Sequence, residues 1–480
     1  MSRTQIPFHP RTKKKLNKRK KKKKKMVVTK GENNLVYDIK ISSVVPGKIA
    51  GENRTYELKG IDFAMKLHYL KGLYFFNNPN NTSDNEEGKK TSFISILDIK
   101  KVMFDRLVVY FKTCGRIRVS SSETGERASI KLNDAGIRIV EAQSSKTVEE
   151  WLALEGFLSL QDQLVYNDDG LGPDLPFSPL VCLQVTWFKC GGISVGLSWA
   201  HILGDAFSAV EFMNTLGHYI QIQGSNKEKP KLISLQDPPQ SEYPLSKSTR
   251  EPISVKRVDP VGSHWVLPFN SKIGFHTIHL NSNQLGELHS MVHGTKMNDN
   301  CTSQFFEVIT SIMWKSIAKI RKDLETNVVT ICRPKSIKRQ GVVPHNGQML
   351  GVVKVNFAVS NVAPLKLVHS IVEGVIDESD MVEELVNKET GESDFFVYGA
   401  NLTFVDVEKA DVYGFEMKEK HPRFASYSIG EIGDKGVVLV LPGPKDENSK
   451  GNDAKLIVVQ LPEDEIEPLK SELKEKWCIE

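Results

Sequence analysis

Residues 181–205 read VCLQVTWFKCGGISVGLSWAHILGD, and the fold turns on how this stretch is parsed. Two strand-like runs flank Cys190-Gly191-Gly192, the glycine pair supplying the backbone freedom of a hairpin turn. In the second run Ile193, Val195, Leu197 and Trp199 share one parity, and His201 continues it. If the strand persists, the imidazole therefore projects from the apolar face. Gly204 and Asp205 follow, and in residues 206–220 Phe207, Val210, Met213 and Gly217 suit a helix packed on the sheet.

A histidine at a strand end, just before a glycine-containing turn and a helix, is well placed as a general base, because its pKa lies near neutrality and rigid elements hold it. The same residue also fits a hydrogen-bonded place in a core or on the surface. Asp205 has two readings as well: a member of a catalytic constellation, or a cap that satisfies the free N–H groups of the following helix.

Working outward, apolar residues at 40% and charged residues at 26% of the 480 describe a globular chain. Thirteen of the 64 lysines and arginines lie in residues 1–25 without one acid, so the body carries 51 basic against all 59 acidic residues. That balance does not favour wrapping nucleic acid, and no specific nucleic-acid partner is expected. The basic block reads as a disordered tail over residues 1–26, either a solvated extension or a nuclear-import arm, the former being favoured. No window approaches the apolar length of a membrane-spanning helix, and the lysine-rich start does not match a secretory signal. Any membrane association is then peripheral or through a partner. The six cysteines, Cys114, Cys182, Cys190, Cys301, Cys332 and Cys478, form neither a CxxC pair nor a zinc-like spacing, so free thiols and no metal are expected.

Alternation at Leu35, Tyr37, Ile39 and Ile41 predicts a strand, and helical spacing recurs at Trp151, Leu154, Phe157 and Leu158. It recurs again through Phe305, Ile309, Ile312, Met313, Ile317 and Ile320, with Thr302 and Ser303 available as caps. Interleaved strands and helices place the chain in the α/β or α+β class. Over residues 227–260 the periodicity lapses into Pro, Ser, Lys and Glu, which reads as a crossover between two halves, 27–226 and 261–480.

The run His201-Ile202-Leu203-Gly204-Asp205 resembles the HxxxD motif of the plant BAHD acyl-CoA-dependent acyltransferases, and its setting resembles theirs too: Gln184-Val185-Thr186, then Phe188 to Gly192, then a strand ending in histidine. Val109-Tyr110-Phe111 with Cys114-Gly115-Arg116, Asn133 to Gly136 with Val140-Glu141-Ala142, and the run from Ser303 through Glu307 to Trp314 extend the likeness over nearly all of the chain after Met26. The resemblance implies two similar-sized α/β domains, each a mixed sheet flanked by helices, like chloramphenicol acetyltransferase, with a channel at their interface. It implies His201 as the base that deprotonates an acceptor hydroxyl or amine, acyl-CoA as co-substrate with no permanently bound cofactor, and Asp205 and Gly204 as structural support of the site. The implied enzyme class, if the chain is active, transfers acyl groups other than aminoacyl groups.

The family's second motif, DFGWG, is represented by Val412-Tyr413-Gly414-Phe415-Glu416, where the flanking Asp and the last Gly are replaced. Ala206 stands where many active members carry Gly, and the region after Arg333 lacks the usual Gly-Asn ending. With these departures the chain resembles the eceriferum/glossy branch, which is implicated in very-long-chain acyl-CoA elongation for cuticular wax with the ketoacyl-CoA synthase of the endoplasmic-reticulum elongase. Two functions follow from the resemblance: promotion of elongation with that condensing enzyme, or ordinary O- or N-acyl transfer through His201. The implied location is cytoplasmic and peripheral at the endoplasmic reticulum, with a nuclear location as the tail's alternative. A self-repelling lysine block buries little apolar surface. Deleting residues 1–25 should therefore leave the thermal melt of the body unchanged, and a large drop in melting temperature would show that the tail packs on it.

Overall fold

The 181–205 hairpin forms the middle of a six-stranded sheet. The computed structural model describes residues 34–49, 54–58, 60–78, 93–122, 125–166, 177–223, 250–261, 271–294, 305–338, 340–388, 393–444 and 454–479. Strands Val181–Phe188 and Ile193–Ala200 pair antiparallel through a turn in which Gly191 adopts φ +80°, its N–H donating to the Phe188 carbonyl. Across the sheet the order is Val36–Val44, Ile137–Ser144, Val181–Phe188, Ile193–Ala200, Tyr69–Phe76 and Phe424–Gly430. Only the pair Ile137–Ser144 with Val181–Phe188 runs parallel, so the sheet is mixed.

A second sheet of seven strands runs Ile273–Leu280, Lys455–Pro462, Val437–Pro442, Leu402–Asp406, Val328–Pro334, Gln348–Lys354 and Ile376–Asp377, with parallel pairs at its centre. Helix Ala206–Gln223 covers the first sheet, Phe212 meeting Trp199 at 5.2 Å between ring centroids. Helix Phe305–Ile320 covers the second and buries Trp314 and Ile317 completely. Two apolar cores result, one containing Trp151, Trp199, Phe212 and Tyr427, the other Trp314, Ile331, Phe404 and Leu469. The class is α/β with mixed sheets flanked by helices, as the family resemblance implies. Residues Leu35–Glu480 form one compact unit.

A strand from late in the chain completes the first sheet: Phe424–Gly430 pairs antiparallel with Tyr69–Phe76. The fully buried side chain of Gln460 ties this strand to the second sheet: its Oε1 accepts from Ile429 N at 2.9 Å, and its Nε2 donates to Ile429 O at 2.7 Å. The amide thus supplies the two bonds that a neighbouring backbone would give.

The local expectations fare unevenly. Strand Ile193–Ala200 is buried on both faces, because Ser194, Gly196 and Ser198 pack inward too; a Cβ at Gly196 would come within 2.1 Å of the Leu164 carbonyl. The strand stops at Ala200, and His201–Leu203 forms a 3-10 turn, so strand parity does not carry through to His201. Strand Val36–Val44 forms, but Tyr37, Ile39 and Ile41 stand about half exposed on a sheet edge whose register shifts between Tyr37 and Lys40. The helical spacing at Trp151 to Leu158 spans two short elements, Val148–Leu152 and Phe157–Gln163, separated at Gly156 with φ +62°. The tail, most of the 227–260 crossover, and Thr302 and Ser303 lie outside the described residues.

Replacing Gln460 with Leu strands the Ile429 N–H and carbonyl in the interior. The cost should be about 2–4 kcal/mol, since a buried polar group left unpaired loses its full desolvation. An urea-unfolding midpoint unchanged in Gln460→Leu would show that the amide is not a necessary join.

Candidate functional site

The 3-10 turn after strand Ile193–Ala200 brings the HxxxD residues against a segment from the second half. His201 N–H donates to the His68 carbonyl at 3.0 Å, which fixes the turn to the end of the neighbouring strand. Gly204 is required where it sits, because a Cβ there would lie 2.7 Å from His345 N. Asp205 does two things. Its Oδ1 accepts from Ser208 N at 3.0 Å, capping helix Ala206–Gln223, and its Oδ2 accepts from Gly347 N at 3.1 Å, anchoring the opposite loop. Ser208 Oγ adds a second tie, donating to the His345 carbonyl at 3.0 Å.

The His201 side chain is wholly buried, and each nitrogen has a partner. Nδ1 lies 2.9 Å from Asn346 Oδ1, and Nε2 lies 2.9 Å from the Tyr398 hydroxyl. The proton positions follow from the neighbours. Asn346 Nδ2 reaches the His201 carbonyl and Asp62 Oδ1, both at 2.9 Å; these oxygens accept, so the NH₂ belongs there and Oδ1 can only accept. His201 Nδ1 therefore carries the proton. Nε2 holds the lone pair and, at 2.9 Å, is the nearest acceptor for the Tyr398 O–H; the Gln348 amide stands farther off, its Oε1 at 3.2 Å and its Nε2, a donor to the phenol oxygen, at 3.1 Å.

His68 organises the far side. Its Nδ1–H donates to the Glu431 carbonyl at 2.8 Å, leaving Nε2 to accept from Val397 N at 3.1 Å, and its ring meets Tyr398 edge-on at 4.9 Å. Burial pushes the His201 pKa down to about 4 against the opposing pull of Asp205, and burial with the nearby His201 pushes His68 to about 3. The Tyr398 phenol is pushed up by its burial. Both imidazoles are therefore neutral at pH 7.

A cavity of about 10 Å³, lined by Asp205, Phe207, Cys332, Gln348, Tyr398 and Val407, lies on the far side of the Tyr398 phenol, and His201 is not among its lining residues. The cavity has room for about one water molecule. A groove of about 510 Å³ lies between segment Phe157–Gln163 and helix Glu463–Trp477, and none of its lining residues belongs to the His201 network. Among the described residues no cluster of three His, Cys, Asp or Glu could hold a metal ion.

Tyr413, Gly414 and Phe415 do not reach His201. Val412–Gly414 is a buried 3-10 turn against helix Ala206–Gln223, where Asn214 Nδ2 donates to Asp411 O at 2.9 Å. Gly217 of that helix permits the approach, since a Cβ there would stand 2.4 Å from the Glu416 carbonyl. Phe415 packs edge-on against Tyr74 and Phe76. Asn346, Tyr398, Gln348, Asp62 and His68 are the site residues that sequence reasoning missed. None stands in a motif, and their only link to His201 is spatial.

A Transferase family model matches residues 36–338. Protein ECERIFERUM 2 of Arabidopsis thaliana is 36% identical, the match covering 92% of this chain and 99% of that protein. Among solved structures, vinorine synthase superposes with a TM-score of 0.63 at 14% identity, over 92% of this chain and 98% of that one. TRI101 of F. graminearum complexed with ethyl coenzyme A gives 0.59 at 12%, over 87% and 97%.

The two depressed imidazoles make stability depend on pH. Folding favours their neutral forms, so the contribution is complete above the unfolded value of about 6.5 and is lost as pH falls toward 4, where the unfolded chain binds protons the folded one refuses. The melting temperature should decline steeply between pH 6.5 and 4, and the decline should be shallower in His201→Asn. Equal slopes in the two proteins would show that His201 does not titrate as its burial requires.

Proposed function

The chain belongs to the transferase family of plant BAHD acyl-CoA-dependent acyltransferases, in its eceriferum branch, and from that premise we propose that it promotes very-long-chain acyl-CoA elongation for cuticular wax alongside an elongase condensing enzyme. The observation that carries this is the burial of His201 with both nitrogens bonded inside the protein. A general base must present its lone pair within hydrogen-bonding distance of the acceptor's proton. Here Nε2 is turned to the Tyr398 hydroxyl at 2.9 Å.

The partner is the ketoacyl-CoA synthase, and the contribution of this chain is made through contact or acyl handling. Acyl-CoA is the small molecule it meets, a choice supported by the coenzyme complex of TRI101. The setting is the cytoplasmic face of the endoplasmic reticulum, reached peripherally; no helix among the described residues is long and apolar enough to cross a membrane. The two halves, 27–226 and 261–480, act as one body.

Acyl transfer through His201 is the second proposal, favoured by one observation: the tautomer leaves the lone pair on Nε2. In that reaction Nε2 takes the acceptor's proton, the acceptor oxygen bonds to the thioester carbon, and the C–S bond breaks. CoA then leaves as the thiol with that proton.

Removal of a positioned base typically costs about 10²–10⁴-fold in rate. Expressed in a wax-deficient host, His201→Ala should retain much of the elongation-promoting effect, read as wax chain lengths alongside acyl-ester products. Abolished elongation in a folded His201→Ala protein, with loss of a CoA-releasing activity present in wild type, would establish the acyltransferase instead.

A further inference from the structure

An alcohol about to be deprotonated by a histidine sits with its oxygen about 3 Å from the imidazole lone pair, O–H directed at nitrogen. In this chain a hydroxyl is already there. The Tyr398 oxygen lies 2.9 Å from His201 Nε2, and the proton assignments above make it the donor. We propose that Tyr398 is the resident occupant of the acceptor-hydroxyl position, so that the HxxxD histidine is a buried strut between the two halves of the chain, stoppered by the chain's own phenol.

The placement of that phenol is built at several points. Gly433 N–H donates to the Tyr398 carbonyl at 2.9 Å, and His68 Nε2 takes the N–H of the preceding Val397. Gly399, at φ +82°, presses so closely on Gly433 that a Cβ would come within 2.3 Å of the Gly433 carbonyl. Residue 398 is therefore gripped on its own backbone and on both flanks. His68 serves both partners, its carbonyl holding the His201 backbone and its ring steadying Tyr398. The phenol borders a cavity of about 10 Å³, room for about one water molecule.

The proposal rests on the non-catalytic reading of the site, yet its test uses no elongation assay. Full-length protein is treated with diethyl pyrocarbonate near pH 6.5, and carbethoxylation of each histidine is timed by peptide mass spectrometry. In wild type, His201 should react at least about 10-fold more slowly than the exposed His218 and His369, since attack on a buried lone pair requires local opening. Tyr398→Ala should raise the His201 rate about 10-fold or more while His218 and His369 stay unchanged, and Tyr398→Phe, which keeps the ring, should leave it slow. Should the alanine variant not fold, Tyr398→Leu carries the same expectation. A wild-type His201 as reactive as His218, or a folded Tyr398→Ala protein with His201 still protected, overturns the proposal. Either result stands whatever His201→Ala does to elongation, so the failure of this inference is separable from failure of the proposed function.

Discussion

A neutral imidazole sealed from water must find a donor for its lone pair and an acceptor for its N–H, and in this molecule both come from far down the chain. Asn346 and Tyr398 lie 145 and 197 residues beyond His201. The two bonds together require the turn after Ala200, the 340–347 loop and the segment after Phe396 to meet at one point. Much of the interior is arranged around that requirement: Asp205 spans to Gly347, His68 holds Val397, and Gln348 completes the phenol's bonding. An unpaired buried polar group costs about 1–3 kcal/mol, so these bonds select one arrangement of the halves over looser ones.

That logic clarifies what became of the second motif. The Val412–Gly414 turn packs on the middle of helix Ala206–Gln223, at Asn214 and Gly217, several residues away from the capped end that meets the histidine. Replacing its flanking acid and glycine therefore alters how a scaffold helix is braced and leaves the imidazole's partners untouched. The fold is shared with vinorine synthase at 14% identity.

The hairpin, the helix after Asp205 and the glycine in between were legible because each is a local demand: a turn needs positive φ, a helix start needs a cap, a buried strand needs apolar residues. Strand parity failed one residue early, since the 3-10 turn at His201–Leu203 is imposed by contact with His68 and leaves no trace in the hydrophobic pattern. The alternation at Tyr37, Ile39 and Ile41 correctly announced a strand and misled about its cover, because a pattern does not say whether the sheet ends there. Asn346 and Tyr398 were illegible for a different reason. An asparagine or tyrosine outside any periodic element carries no mark of the partner it will meet.

The strand Phe424–Gly430 sets the order in which this protein can be made. Its partner, Tyr69–Phe76, leaves the ribosome some 350 residues earlier, Phe75 aligning with Phe424. Until residue 430 has emerged, the first sheet has a bare edge at a strand whose side chains belong in the core. Such an edge is a template for pairing with any other extended chain. At about 5–20 residues per second of synthesis, the wait is tens of seconds, long enough for nascent neighbours on one messenger to find each other. A truncation anywhere before residue 424 would make that interval permanent, and the shortened chain would be a client for chaperones even with every HxxxD residue in place.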